Sequence, residues 1–161
     1  MDIDIKGAVE QIVEDVNRQV RSRAFRAANE LRNSALNVLA GQRSGRVYKK
    51  PGTFGKRMSK QTKTLLNDYG HKLRGGQLYR ASAPGEPPAN RSDMLRRSWM
   101  PRNTAERAGN ATAHTASIYT DVKYAEPLEK GTNQIDPRPF SEPIIEMAMP
   151  RIKRIFKEPY G

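Results

Sequence analysis

Between Asp2 and Ala40 the chain has no proline, and Ile5, Val9, Ile12, Val13, Val16, Val20, Ala24, Ala27, Ala28, Leu31, Ala35 and Leu39 recur at spacings of mostly three and four. That period predicts one long α-helix with an apolar face, and Gly41 supplies a stop. Acids come first (Asp2, Asp4, Glu10, Glu14, Asp15) and bases later (Arg21, Arg23, Arg26, Arg32), the order the helix dipole favours. A helix over 2–40 spans roughly 55–60 Å at ~1.5 Å per residue, against ~30 Å for a small domain. It therefore bends or breaks near Arg21 and Ser22, or projects from the body toward a partner. The spacings drift from strict heptads, so packing on the body and on a neighbouring subunit is expected before a coiled coil.

Length and composition set the frame for the rest. A chain of 161 residues is read as a single domain over 1–161, with the helix 1–40 and a basic excursion at 51–76 as its outlying parts. An apolar share of 36% leaves only a modest core, so part of the chain is expected outside it or ordered in an assembly.

Residues 41–82 carry eleven bases, Arg43, Arg46, Lys49, Lys50, Lys56, Arg57, Lys60, Lys63, Lys72, Arg74 and Arg80, and one acid, Asp68. Their +10 is most of the net +12 of the whole chain. Strand-like pieces at 45–50 (GRVYKK) and 77–82 (QLYRAS) flank the segment, and a short helix is expected at 59–69. The 51–76 link is long for a compact domain, and such links are often functional or mobile.

Pro84-Gly85-Glu86-Pro87-Pro88 reads as a stiff extended connector. Ser92 or Asp93 is expected to cap a short helix through Met94, Leu95 and Ser98. Arms at 99–103 and 113–122, with Gly109-Asn110 near the turn, form a predicted hairpin. In its second arm His114, Ala116 and Ile118 alternate with Thr115, Ser117 and Tyr119. From about Ser141 to Lys157 a second amphipathic helix is expected, with Ile145, Met149, Ile152 and Phe156 on one face and Ile144, Ala148 and Ile155 beside it. Pro150 should kink or divide it. The order is long helix, strands, short helix, hairpin, helix. It predicts an α+β domain with a long N-terminal amphipathic helix, a small mainly antiparallel sheet, a short helix and a C-terminal helix.

Residues 124–140, YAEPLEKGTNQIDPRPF, have no long period. Pro127 starts a helical turn that Leu128, Glu129 and Lys130 extend, and Gly131 ends it in a backbone conformation cheap only for glycine. Asp136-Pro137-Arg138-Pro139 is extended, since each proline biases the residue before it away from helix. Phe140 plugs the core where the last helix begins. The stretch is therefore a rigid corner, and Glu129 and Arg138 are candidates for an ion pair across it, within one subunit or between two.

The absence of cysteine excludes disulfides, thiolate metal sites and cysteine nucleophiles. No apolar run approaches the ~20 residues of a membrane helix, and MDIDIKGAVE lacks the basic start and apolar block of a signal peptide. His71 and His114 lie in different segments, Glu126 and Glu129 read as a solvated turn beside Lys130, and no phosphate-binding glycine loop is present. The reading is of a non-enzymatic protein with no cofactor and no metal.

YA-x-x-x-E-x-GT followed by RPF resembles the tail-completion or neck proteins of long-tailed bacteriophages, a family of tail components related to lambda-type minor tail protein Z. In the same order stand SGRVY at 44–48, RASAPGEPPA at 80–89, LRRSW at 95–99 and TDVKYA at 120–125. The matching blocks cover about 44–50 and 77–145. The resemblance implies a small virion protein at the head–tail junction, assembled in the host cytoplasm as a homo-oligomeric, commonly hexameric ring. Its neighbours would be a head connector or head-closure ring and a tail terminator or tail tube. On that reading Tyr124, Glu129, Gly131, Thr132, Arg138, Pro139 and Phe140 set subunit geometry. The 51–76 link departs from the family, where the two strands are joined by a shorter segment.

The bases of this region, Arg43, Arg46, Lys49, Lys50, Lys56, Arg57, Lys60 and Lys63 foremost, interleave with Tyr48, Phe54, Tyr69 and Tyr79, a mixture that grips phosphate and stacks on bases. They are candidates for contact with genomic DNA in the channel or with an acidic partner surface. The alternative function is that of a basic DNA-binding accessory protein acting off the virion.

Overall fold

A computed structural model describes residues 6–108 and 111–160. The elements are α1 (Lys6–Val38), β1 (Val47–Lys49), α2 (Lys60–Tyr69), β2 (Leu78–Arg80), α3 (Met94–Arg97), β3 (Met100–Ala108), β4 (Ala111–Tyr119), α4 (Ala125–Lys130) and α5 (Ser141–Phe156). The fold is α+β, as expected. Its strands form two separate antiparallel pairs, β1–β2 and β3–β4, where a single small sheet was expected. The β1–β2 pair is short, with the Ala81 N–H still donating to the Arg46 carbonyl at 2.9 Å just beyond it.

The chain divides into two compact units. The first takes the described parts of Met1–Ser34, Trp99–Tyr119 and Ile145–Gly161. Here α1 is unbroken through Arg21 and Ser22, so of the alternatives read from the sequence, a break at that point does not occur. No residue in that stretch removes a backbone donor, and Ala24, Ala27 and Ala28 just beyond it are almost wholly buried. Strands β3 and β4 pair over nine positions, from Met100↔Tyr119 to Ala108↔Ala111. The first arm thus runs five residues past the predicted Asn103. Thr104, Ala105, Glu106 and Arg107 are all exposed, so they carry no alternation by which a strand could be recognised. The predicted turn residues Gly109 and Asn110 lie outside the described residues.

Helix α5 buries Ala148 and Ile155, with Ile144 at the start of that stripe. The stripe predicted to lead, Ile145, Met149 and Phe156, is instead exposed at 49%, 38% and 44%, with Ile152 half-buried. Pro150 does not divide the helix. Pro150 and Glu146, whose carbonyl loses its helical partner, are both exposed, so water can satisfy that carbonyl. Arginines join the parts of this unit. Arg26 binds Glu158 through two hydrogen bonds of 2.6 and 2.7 Å. Arg151 pairs with Glu30 at 3.2 Å, and Arg32 donates to the Trp99 carbonyl at 3.0 Å. Arg23, itself buried, donates to the Pro159 carbonyl at 2.7 Å and lies 3.8 Å from the Tyr160 ring centre.

The second unit takes Ala35–Ser98 and Thr120–Ile144. Its core gathers Ala35, Val38, Leu39, Val47, Leu78, Leu95, Ala125 and Phe140. Strands β1 and β2 pair Val47↔Arg80, Tyr48↔Tyr79 and Lys49↔Leu78. Between them the long basic excursion folds back on the pair through α2. Ser59 caps α2, its hydroxyl accepting from the Thr62 N–H at 3.1 Å. At α3 the expected side-chain cap is absent. Asp93 sits in the left-handed region (φ 61°) and its carboxylate instead takes Asn90, Arg96 and Arg97.

Candidate functional site

The 124–140 corner is locked by its own backbone. The α4 turn closes with the Leu128 N–H donating to the Tyr124 carbonyl at 3.1 Å. Gly131 ends it at φ 78°, ψ 175°, a region open essentially to glycine alone. A Cβ there would meet the Ile135 carbonyl and the Pro137 ring at 2.9 Å. Thr132 and Ile135 then form a small bridge. The Arg138 N–H returns to the Leu128 carbonyl at 2.8 Å, and the Gly85 N–H reaches the Pro137 carbonyl at 3.2 Å. Phe140 is buried, as the plug reading required, while Pro139 is half-buried and Tyr124 and Thr132 are exposed.

Glu129 and Arg138 do not pair with each other in the subunit. The Glu129 carboxylate accepts from the Phe140 N–H at 2.9 Å and from the Ser141 N–H at 3.3 Å. Those donors open α5 and have no partner within the helix, so a carboxylate there satisfies them and meets the positive end of the dipole. The capped helix start is a better partner for Glu129 than a guanidinium on an extended strand. Arg138 lines a cleft of about 440 Å³ with Tyr79, Tyr124, Leu128, Arg91 and Arg96, and its Nη1 is buried without a hydrogen-bond partner.

The connector at 84–88 is anchored by a residue that the sequence reading did not single out. Glu86 accepts from the Ser44 hydroxyl at 2.6 Å, the Ser44 N–H at 3.1 Å and the Ala83 N–H at 2.8 Å. Those donors, the Ser44 hydroxyl foremost, hold its carboxyl down at about 2. Arg43, a candidate for nucleic-acid contact, is occupied close by. It donates to the Val38 carbonyl at 2.7 Å, closing the end of α1, and to the Pro88 carbonyl at 3.1 Å. Its half-burial makes it a structural clamp.

The rest of the basic segment is built on a polar knot. The fully buried Thr62 hydroxyl accepts from the Leu78 N–H at 3.0 Å and donates to Gln77 Oε1 at 2.9 Å. Gln77 Nε2 donates to the Arg57 carbonyl at 2.6 Å, and the Thr53 hydroxyl accepts from the Gln77 N–H at 3.0 Å. The Gly76 N–H reaches the Lys56 carbonyl at 2.6 Å. Arg80 pairs with Asp68, so the one acid of the segment is engaged. Arg46, Lys49, Lys56, Arg57, Lys60 and Lys63 stay exposed and Lys50 is half-buried. Phe54 is 84% exposed, with the Lys49 ammonium 4.9 Å from its ring centre, and Tyr48 and Tyr79 stack at 6.2 Å. The segment therefore presents cations and an open aromatic face on a fixed frame. Thr53, Thr62 and Gln77 were invisible as a site because no spacing rule links polar residues that meet only after a strand pair closes.

Among the described residues no group of three or more His, Cys, Asp and Glu comes together as a metal would require. No described helix is long and apolar enough to cross a membrane. No family model, no curated protein and no solved structure matches the chain.

Proposed function

We propose that this chain is a structural virion protein of the phage head–tail junction, acting by ring assembly and head-to-tail joining without catalysis. One observation carries the reading: a corner held in a single shape by Glu129, Gly131 and Arg138 occurs in a chain whose helices leave whole apolar faces uncovered. A rigid corner is needed where one copy must seat the next at a fixed angle. A repeated heterologous contact closes into a ring only if that angle is constant. The ordered blocks that resemble the tail-completion family supply the location: the neck of a long-tailed particle, between a head connector or head-closure ring and a tail terminator or tube. The experiment is particle assembly without the protein. Heads and tails that accumulate unjoined, and join when the purified chain is added, support the role. Joined, infectious particles in its absence overturn it.

The exposed Phe54 beside Lys49, within a segment rich in unpaired cations, favours a second reading as a basic DNA-binding accessory protein. In that case the isolated monomer binds duplex tightly with a steep loss in salt. In the neck reading the same face lines the channel or meets an acidic surface.

A further inference from the structure

Two helical faces of the first unit are apolar and uncovered. On α1, Val9, Ile12, Val13 and Val16 are 49%, 62%, 45% and 39% exposed, at the i, i+3, i+4, i+7 spacing of one stripe. On α5 the uncovered stripe is Ile145, Met149 and Phe156, with Ile152 half-covered between them. A soluble chain rarely leaves such stripes open unless something docks on them.

The charges beside the stripes are opposite. Between Val9 and Val16 the only charged residues are Glu10, Glu14 and Asp15. Along the α5 stripe, from Ile145 to Lys157, the charged residues are Glu146, Arg151, Lys153, Arg154 and Lys157, so bases outnumber the one acid. Arg151 is taken by Glu30 and Asp15 is partly taken by Arg18 at 3.4 Å. Glu10 and Glu14 on one side, and Lys153, Arg154 and Lys157 on the other, are in no ion pair among the described residues. The two faces are thus opposite in net charge.

We infer that the acidic apolar face of α1 in one copy packs on the basic apolar face of α5 in a second copy. The contact is heterologous, since the two faces differ, so it propagates from copy to copy and closes into a ring. Like a coiled-coil seam, it takes its energy from the aliphatic stripes and its choice of partner from the flanking charges. It rests on the ring reading above and supplies the pair of surfaces.

The absence of cysteine gives a direct test. Copies bearing Val13→Cys are mixed with mass-tagged copies bearing Met149→Cys under mild oxidation, and products are read on a non-reducing gel. The pairing predicts a heterodimer in excess of either homodimer and of a control in which Thr104→Cys replaces Met149→Cys. Lys153→Glu with Lys157→Glu in the second copy lowers the yield roughly tenfold or more, through like-charge contact. Glu10→Lys with Glu14→Lys in the first copy then restores it, which a folding defect would not allow. A yield no higher than the control, or one indifferent to the charge reversals, overturns the inference. Native mass spectrometry of the same variants separates the two levels. Rings that persist without the cross-link remove this helix pairing and leave the ring reading standing, whereas monomers under all conditions remove both.

Discussion

The Glu129 carboxylate accepts the Phe140 N–H at 2.9 Å, so the last residue but one of a six-residue helix closes the start of the sixteen-residue helix that follows. This bond spans the corner and holds the first residues of α5 against the end of α4. Glu129→Ala is expected to cost about 1 kcal/mol, within the usual range for a lost N-terminal cap, with Glu129→Gln costing less. Urea unfolding followed by circular dichroism measures it. An unchanged midpoint would show that the corner does not depend on this bond.

Gly131 tests the same corner through the backbone. At φ 78° and ψ 175°, with the Ile135 carbonyl 2.9 Å from any added Cβ, Gly131→Ala meets both strain and a clash. The expected loss is about 1–3 kcal/mol. Gly52, also at positive φ but with open space around it, is the control. Gly52→Ala should cost less, and equal midpoint shifts for the two would refute the close-packed corner.

Acid should loosen the connector before the helices. The Glu86 carboxyl falls from the ordinary 4.5 to about 2 in the folded chain. A depressed carboxylate binds fewer protons folded than unfolded, so its contribution is complete above about 4.5 and is lost as pH falls toward about 2. The acid limb of the stability curve should therefore be shallower in Glu86→Gln than in the parent, while the parent is the more stable at neutral pH. Denaturant midpoints taken across that window decide it, and parallel acid limbs would contradict the assignment.

Thr62 holds the basic segment from inside. Thr62→Val keeps the shape and leaves the Leu78 N–H and Gln77 Oε1 without their buried partner, a loss of about 1–3 kcal/mol. The local effect is the better readout. Trypsin should cut at Lys56 and Arg57 faster in the variant than in the parent, with sites on α5 unchanged. Equal cleavage at Lys56 and Arg57 would show that the knot does not order the segment.

The long helix, the α2 helix, the Gly131 stop and the buried Phe140 were legible because each follows from a local rule of period, breaker or backbone freedom. Three features were not. The stripe of α5 that is buried could not be told from its neighbour, because Ile144, Ala148 and Ile155 and Ile145, Ile152 and Phe156 are equally apolar and only tertiary packing selects between them. The second half of β3 was missed because Glu106 and Arg107 are exposed on both sides of the strand, leaving no alternation to read. The partners Glu129 has within the subunit were not foreseen, because a sequence shows which charges are near, whereas helix-opening N–H groups carry no letter of their own. The same limit hid Glu86, whose partners are an Ser44 hydroxyl and two backbone donors.

Native mass spectrometry of the full chain, alone and with a tail partner, tests the central claim most directly. The account predicts a closed oligomer built from 18.2 kDa protomers, hexameric by the family resemblance, that survives added salt better than any DNA complex does. A chain that stays monomeric under every condition, and as a monomer binds duplex with a steep salt dependence, would contradict it.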